Sequence, residues 1–339
     1  MYKWLIGIAI VALVAVAFWR LHGFQLLRDG GRDVVPSADF GSLEEATSPG
    51  DGTLSGSESG SIFTPSGSAQ AGKSITLTLT FIGAERTYIL HVPTGYDNSK
   101  RYPLMISYHG EGGSGAGQEQ KTGFNTVADE NGFFAAYPSA VKGDWQLTGS
   151  GSDIQFSKAL IAAIENSYSI DPSRIYVSGF SAGGGMAMAV ACAATDTIAG
   201  MAYASNTLGA RKVEQCHPSQ PIAVVGFSGT KDVGSEADTR NNYSYQQTAE
   251  FWATQNGCSG TPAVSHFPDT LTTGVKVTDT KQVWSGCKGG VTVTLYTVEG
   301  GGHAWPGGVA SRNETDIKVG STGLDASTVI WDTLSVYKR

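Results

Sequence analysis

The chain has 339 residues, 40% hydrophobic and 16% charged, which is enough to bury a full core and ordinary for a globular enzyme. A formal net charge of −7 leaves no basic stripe to neutralise phosphates, so nucleic acid is argued against as a partner. The low charge, with many Gly, Ser and Thr, resembles the make-up of secreted rather than cytosolic chains.

The N-terminus bears on export. Met1-Tyr2-Lys3 precedes an uncharged apolar run of 16 residues, Trp4 to Trp19, closed by Arg20. A helix needs roughly 20 residues to cross the hydrocarbon of a bilayer. Ala15-Val16-Ala17 is an A-x-A site, as in a cleaved signal peptide. Tryptophans at both ends and basic flanks suit a retained anchor instead, tethering the protein to a membrane through residues 4–19. Both readings of residues 1–20 predict export, secreted or periplasmic, for the rest of the chain. Residues 21–72 show no sustained period, and 15 of the 32 residues from Gly41 to Gly72 are Gly or Ser. Such a segment cannot bury enough apolar surface to offset its ordering entropy, and is predicted to be a flexible tether spanning on the order of 30 Å.

The folded domain is predicted over 73–339. Ile75–Phe81 alternates, and Arg86–Val92 follows across a short turn, which predicts an antiparallel pair. Pro103–Tyr108 is a continuous apolar run, suited to a strand covered on both faces. It runs into the glycine-rich turn His109-Gly110-Glu111-Gly112-Gly113-Ser114-Gly115. A helix at about Gln118–Asn131, a strand at Phe133–Tyr137 and a loop holding Asp144-Trp145 come next. Asp153–Tyr168 has a helical period, and Asp171-Pro172 is expected to break the chain before a strand at Ile175–Ser178. Further strands are expected at Ala199–Ala204, Ile222–Phe227 and Val291–Val298, with helices at about Tyr243–Gln255 and Ala326–Tyr337. Strands alternating with helices predict an α/β fold with a mostly parallel sheet covered on both faces.

The most informative stretch is Ile175–Met186. A strand runs into Gly179-Phe180-Ser181-Ala182-Gly183, a G-x-S-x-G pentapeptide, and then into a small-residue helix. Bare G-x-S-x-G arises by chance in a chain with 45 Gly; the strand–turn–helix context makes it a nucleophile elbow. In such a sheet, functional groups gather beyond the carboxyl ends of the strands. Asp232 follows the Ile222–Phe227 strand, and His303 follows Val291–Val298. The chain order Ser, Asp, His is that of the α/β-hydrolase arrangement. A serine hydroxyl is a poor nucleophile and needs an imidazole to take its proton; the imidazole needs a carboxylate to hold its tautomer. His22 lies in the tether, His91 and His266 lack a glycine-rich strand-end setting, His217 adjoins Cys216, and His109 is too close to the first turn. His303 is therefore predicted as the base. Asp238 lies on the same segment as Asp232 and competes with it. Main-chain N–H groups must meet the oxyanion, one from Ala182 and one from the HGEGGSG turn, at Glu111. That turn lacks the Lys-Ser/Thr ending of a phosphate-binding loop. The scattered histidines and the absence of Cys-x-x-Cys predict no metal and no cofactor. Cys192, Cys216, Cys258 and Cys287 suit two disulfides in an exported chain; three pairings are open, and the neighbour pairing Cys192–Cys216 with Cys258–Cys287 is favoured.

From about Arg86 to Tyr337 the chain resembles the secreted esterase family that joins feruloyl esterases, acetyl xylan esterases and polyhydroxybutyrate depolymerase-like proteins. The resemblance rests on RTYILHVP, the HG-x-GG turn, IDPSRIYVSGFSAGGGMA, G-T-x-D, GGGHAWPGG and DASTVIWD. It implies the α/β-hydrolase fold, a triad of Ser181, Asp232 and His303, and cysteine pairs at the family's usual positions. It also implies that Trp145 and Trp305 border the acyl pocket. Ser228-Gly229-Thr230 and Ala304 depart from the family's His-Gly-Thr and Thr. The reading that follows is a serine ester hydrolase for feruloyl or acetyl groups on plant cell-wall xylan, with a polysaccharide-linked or polymeric ester as substrate. A polyester depolymerase is the alternative. A catalytically silent carbohydrate-binding protein keeps the fold but not the reason for the three residues, and a serine peptidase lacks a propeller or lid to select peptides.

Overall fold

The computed structural model describes residues 70–147, 152–209, 216–232, 243–308 and 319–339. The predicted export segment 1–20 and all but the last three residues of the predicted tether lie outside them, as does Asp238. Among the described residues no helix is long and apolar enough to cross a membrane.

The strands are β1 (Lys73–Phe81), β2 (Ala84–Val92), β3 (Tyr102–Tyr108), β4 (Phe134–Pro138), β5 (Ile170–Gly179), β6 (Ile198–Ala204), β7 (Ala223–Gly229), β8 (Ala263–Thr270), β9 (Lys276–Trp284) and β10 (Val293–Val298). They form one sheet in the order β1-β2-β4-β3-β5-β6-β7-β10-β9-β8. The six central strands are parallel, and antiparallel pairs flank them on both sides. The helices are α1 (Gly115–Thr122), α2 (Phe124–Asn131), α3 (Asp153–Ser167), α4 (Ala182–Ala193), α5 (Tyr245–Gln255) and α6 (Ala326–Leu334).

The period-2 pleat divides the strand side chains between two cores. On one face Leu104, Ile106, Ile175, Val177 and Val224 pack with α3, α4 and α5. On the other Met105, Tyr176, Val225 and Phe227 pack with α2 and α6. Phe133 and Trp331 stack at 3.9 Å between ring centroids within the second core, seating α6. This doubly covered sheet is the α/β-hydrolase fold that the chain order implied.

Four local expectations are corrected. The helix predicted over Gln118–Asn131 is two helices, because Gly123 adopts φ 64° and ends α1 with a left-handed cap before α2 begins. Asp171-Pro172 does not end the element before the elbow: β5 starts at Ile170, and these residues lie in an irregularity where Tyr102 pairs with Ile170 and Leu104 with Ile175. Proline is tolerated there because no ladder N–H is required of it. The stretch before β10, where no strand is predicted, is the β8–β9 hairpin that extends the sheet's edge. The last helix ends at Leu334 rather than Tyr337.

Both disulfides join neighbours, Cys192–Cys216 and Cys258–Cys287. The first ties the end of α4 to the segment leading into β7; the second ties the end of α5 to the turn between β9 and β10.

Candidate active site

The elbow is made by steric exclusion. A Cβ on Gly183 would lie 2.1 Å from the Tyr108 carbonyl oxygen, so the first turn of α4 reaches the end of β3 only without a side chain there. Ser181 sits at φ 53°, ψ −125°, a conformation that L residues rarely adopt. Backbone bonds from both neighbouring strands hold it: the Phe180 N–H donates to Tyr108 O at 3.1 Å, and the Ser181 N–H to Ala204 O at 2.9 Å. The side chain is thereby set at the N-cap of α4, half-buried, beyond the carboxyl end of β5.

His303 reaches Ser181 on the loop after β10. The Gly301 carbonyl accepts from Lys231 N–H at 2.8 Å, and the Gly302 N–H donates to Val319 O at 2.8 Å, so the loop is pinned on two sides. His303 Nε2 lies 2.8 Å from Ser181 Oγ, and Nδ1 lies 2.9 Å from Asp232 Oδ1. With Nδ1–H donating to the carboxylate, Nε2 is left to accept the serine proton. The Asp232 side chain is fully buried, while that of His303 is 26% exposed. Burial pushes the Asp232 carboxyl up, but hydrogen bonds from His303 and Tyr245, with the charge of His303, outweigh it and hold the group below its ordinary value.

Ser181 and His303 line a cleft of about 330 Å³ with Gly110, Glu111, Lys121 and Phe180. Glu111 is exposed at the tip of the β3 turn, and Ala182 is the first residue of α4, where an N–H has no intrahelical acceptor. Both residues predicted to supply main-chain donors therefore flank the serine. Lys121 Nζ stands 4.8 Å from the centroid of the Phe180 ring at this cleft. A smaller apolar cavity of about 160 Å³, lined by Met188, Leu208 and the first disulfide, contains none of Ser181, Asp232 and His303.

The tryptophans are placed differently from the expectation. Trp305 is 3% exposed: its indole N–H donates to Ser327 Oγ at 3.2 Å and its ring packs on Phe124. It is a core anchor behind the His303 loop, because a large ring with one satisfied donor is more stable under that loop than in water. Trp145 lies under the glycine-rich turn, donating to His109 O at 2.8 Å and packing against the His109 and Tyr108 rings. It braces the turn from beneath.

His109, which sequence reasoning set aside, is part of that brace. Nε2 accepts the Ala140 N–H at 3.0 Å, so Nδ1 carries the proton donated to Gly110 O at 2.7 Å. Burial pulls the imidazole below its ordinary value and keeps it neutral. Sequence reasoning also missed Tyr245 and Ser205, which lie beside Asp232. The capping signature Ser244-x-x-Gln247 marks the start of α5, but no sequence signal aims its first side chain at the carboxylate. Among the described residues no group of three or more His, Cys, Asp or Glu is placed to hold a metal ion.

Residues 90–261 match the BD-FAE family model. Feruloyl esterase C of Emericella nidulans is 30% identical over 238 residues, covering 68% of this chain and 81% of the relative. Feruloyl esterase B of Piromyces equi is 30% identical over 244 residues, 65% of this chain, but the match spans only 42% of that longer protein. An acetyl xylan esterase structure from Aspergillus awamori superposes with a TM-score of 0.53 over 69% of this chain and 94% of its own, at 14% identity, a likeness of fold.

Proposed function

Because the chain belongs to the BD-FAE family of α/β-hydrolase esterases, we propose that it is a serine carboxylic-ester hydrolase acting on feruloyl or acetyl groups ester-linked to plant cell-wall xylan. The observation that carries this reading is the continuous Ser181–His303–Asp232 hydrogen-bond chain, which runs from the cleft to a buried carboxylate. Curated relatives named feruloyl esterase support the choice of acyl class.

In this mechanism His303 Nε2 takes the Ser181 proton as Oγ attacks the ester carbonyl. Asp232 stabilises the imidazolium that forms, and the N–H groups of Glu111 and Ala182 meet the oxyanion. The tetrahedral intermediate collapses, His303 gives its proton to the leaving alcohol, and an acyl-Ser181 ester remains. Water, activated by the same imidazole, then releases the acid. The apolar run of residues 4–19 and the disulfides support an exported enzyme, with 1–20 as signal or anchor and 21–72 as tether.

The test is hydrolysis of methyl ferulate, acetylated xylan, 4-nitrophenyl acetate and short 3-hydroxybutyrate oligomers by the full chain, each beside Ser181→Ala. Ser181-dependent turnover led by ferulate or acetylxylan is expected. Preference for the hydroxybutyrate oligomers would move the protein to polyester hydrolysis, and turnover unaffected by Ser181→Ala would remove the nucleophile.

A further inference from the structure

Asp232 has two carboxylate oxygens, and His303 uses one. The other, Oδ2, accepts the phenol O–H of Tyr245 at 2.6 Å. The carboxylate is fully buried, so Oδ2 depends on a protein donor. We propose that Tyr245 is a positioning residue for ester hydrolysis: its phenol fixes the rotation of the Asp232 carboxylate, so that Oδ1 stays aimed at His303 Nδ1. The proposal rests on the hydrolase reading given above.

Three observations make the phenol a fixed donor rather than an incidental neighbour. Tyr245 is 4% exposed and is the first residue of α5, immediately after an N-cap in which Ser244 and Gln247 bond each other's backbones reciprocally. The ring therefore starts from a rigid point, and Ala249 and Trp252, further along α5, seat the helix in the same core as Tyr245. Ser205, just beyond β6, sits at φ 55° and holds a second contact: its hydroxyl donates to Ala304 O, beside His303, at 3.2 Å. The groups facing the phenol are thus Asp232, Ser205 and, from β6, Tyr203. Burial, followed by the neighbouring carboxylate, raises the phenol well above its ordinary value, so it remains a donor at every working pH. The hydrogen bond is charge-assisted, short and shielded from water, which places it among the stronger kind.

The experiment is steady-state kinetics of Tyr245→Phe in the full chain, on the best ester of the panel, from pH 5 to 9. A lost donor to a buried charge is expected to lower kcat by about tenfold or more, with KM within about twofold of wild type. The acid limb of the kcat/KM profile moves to higher pH, because a carboxylate released from the phenol holds positive charge on His303 more strongly. Replacing residue 245 by 3-fluorotyrosine keeps the ring, strengthens the donor and moves that limb the opposite way. In an Asp232→Asn background, Tyr245→Phe adds no further loss. Wild-type kcat with a superimposable profile overturns the role of Tyr245, as does an equal loss in both backgrounds, which would mark a packing effect. Turnover that survives Ser181→Ala overturns the hydrolase reading and this proposal together; Ser181 dependence with wild-type behaviour of Tyr245→Phe overturns the proposal alone.

Discussion

A Cβ on Gly179 would lie 2.0 Å from the carbonyl oxygen of Gly183, so the two glycines of the pentapeptide close on each other across the elbow. The obstacle is backbone, which has no rotamer to move aside. Gly179→Ala and Gly183→Ala are each expected to cost several kcal/mol, roughly the scale of severe overpacking or more, and to leave little soluble protein. Thermal melts of whatever folds would show it; a wild-type melting temperature for either variant would contradict the packing of the turn.

Asp232→Asn is expected to lower kcat by about four orders of magnitude while the fold survives. The amide that takes the place of the carboxylate presents either a donor to the Nδ1–H of His303 or a weaker, uncharged acceptor. Near-normal activity in Asp232→Asn, with the loss appearing in Asp238→Asn instead, would transfer the carboxylate's role.

A second buried carboxylate governs stability with pH. Asp279, on β9, accepts the Glu299 N–H at the root of the His303 loop at 3.0 Å, and it faces Asp269 on β8. Burial and the Asp269 carboxylate raise Asp279 from 3.8 to about 7, against the hydrogen bond from the Glu299 N–H, which pulls the other way. Over the window from 3.8 to about 7, the folded state keeps a proton that the unfolded chain releases, so stability from this group falls as pH rises and levels off above it. Asp279→Asn keeps an acceptor for Glu299 and a donor for Asp269 without the titration. The melting temperature of the variant minus that of wild type should therefore climb between pH 5 and pH 8. A difference that stays flat would place the shared proton elsewhere.

The two disulfides close loops with sequence separations of 24 and 29. Each is expected to stabilise by about 3 kcal/mol through the unfolded chain. Reduction after partial unfolding, read as a melting temperature lowered by several degrees in reductant, checks this, and an unchanged melt would indicate that the bonds contribute nothing.

Much of the fold was legible because its signals are local. The apolar run of β3, the alternation of β1 and β2, and the small-residue helix after the elbow are each read from a few neighbouring residues, and β3 is buried on both faces as its run implies. The β8–β9 hairpin escaped notice because β8 is the outer edge strand: it is largely exposed and carries Pro268, so it lacks the apolar content that marks a strand. The signal that could have found it was the alternation in Lys276–Trp284, where Asp279 takes an inward place usually given to an apolar residue.

The sequence by itself determined the strand–turn–helix around Ser181, the strand ends that carry Asp232 and His303, and the glycines the elbow demands, since each depends on steric limits within a few residues. Tertiary structure decided what depends on atoms far apart in the chain. Asp232 and His303 are 71 residues apart, and Ser181 and His303 are 122 apart; their meeting is fixed by strand order, not by spacing. The same holds for Trp305, whose place in the core depends on Phe124 and Ser327, and for Tyr245, whose phenol finds Asp232 only because α5 packs beside β7. A side chain's partner across the fold is set by packing that no local pattern encodes.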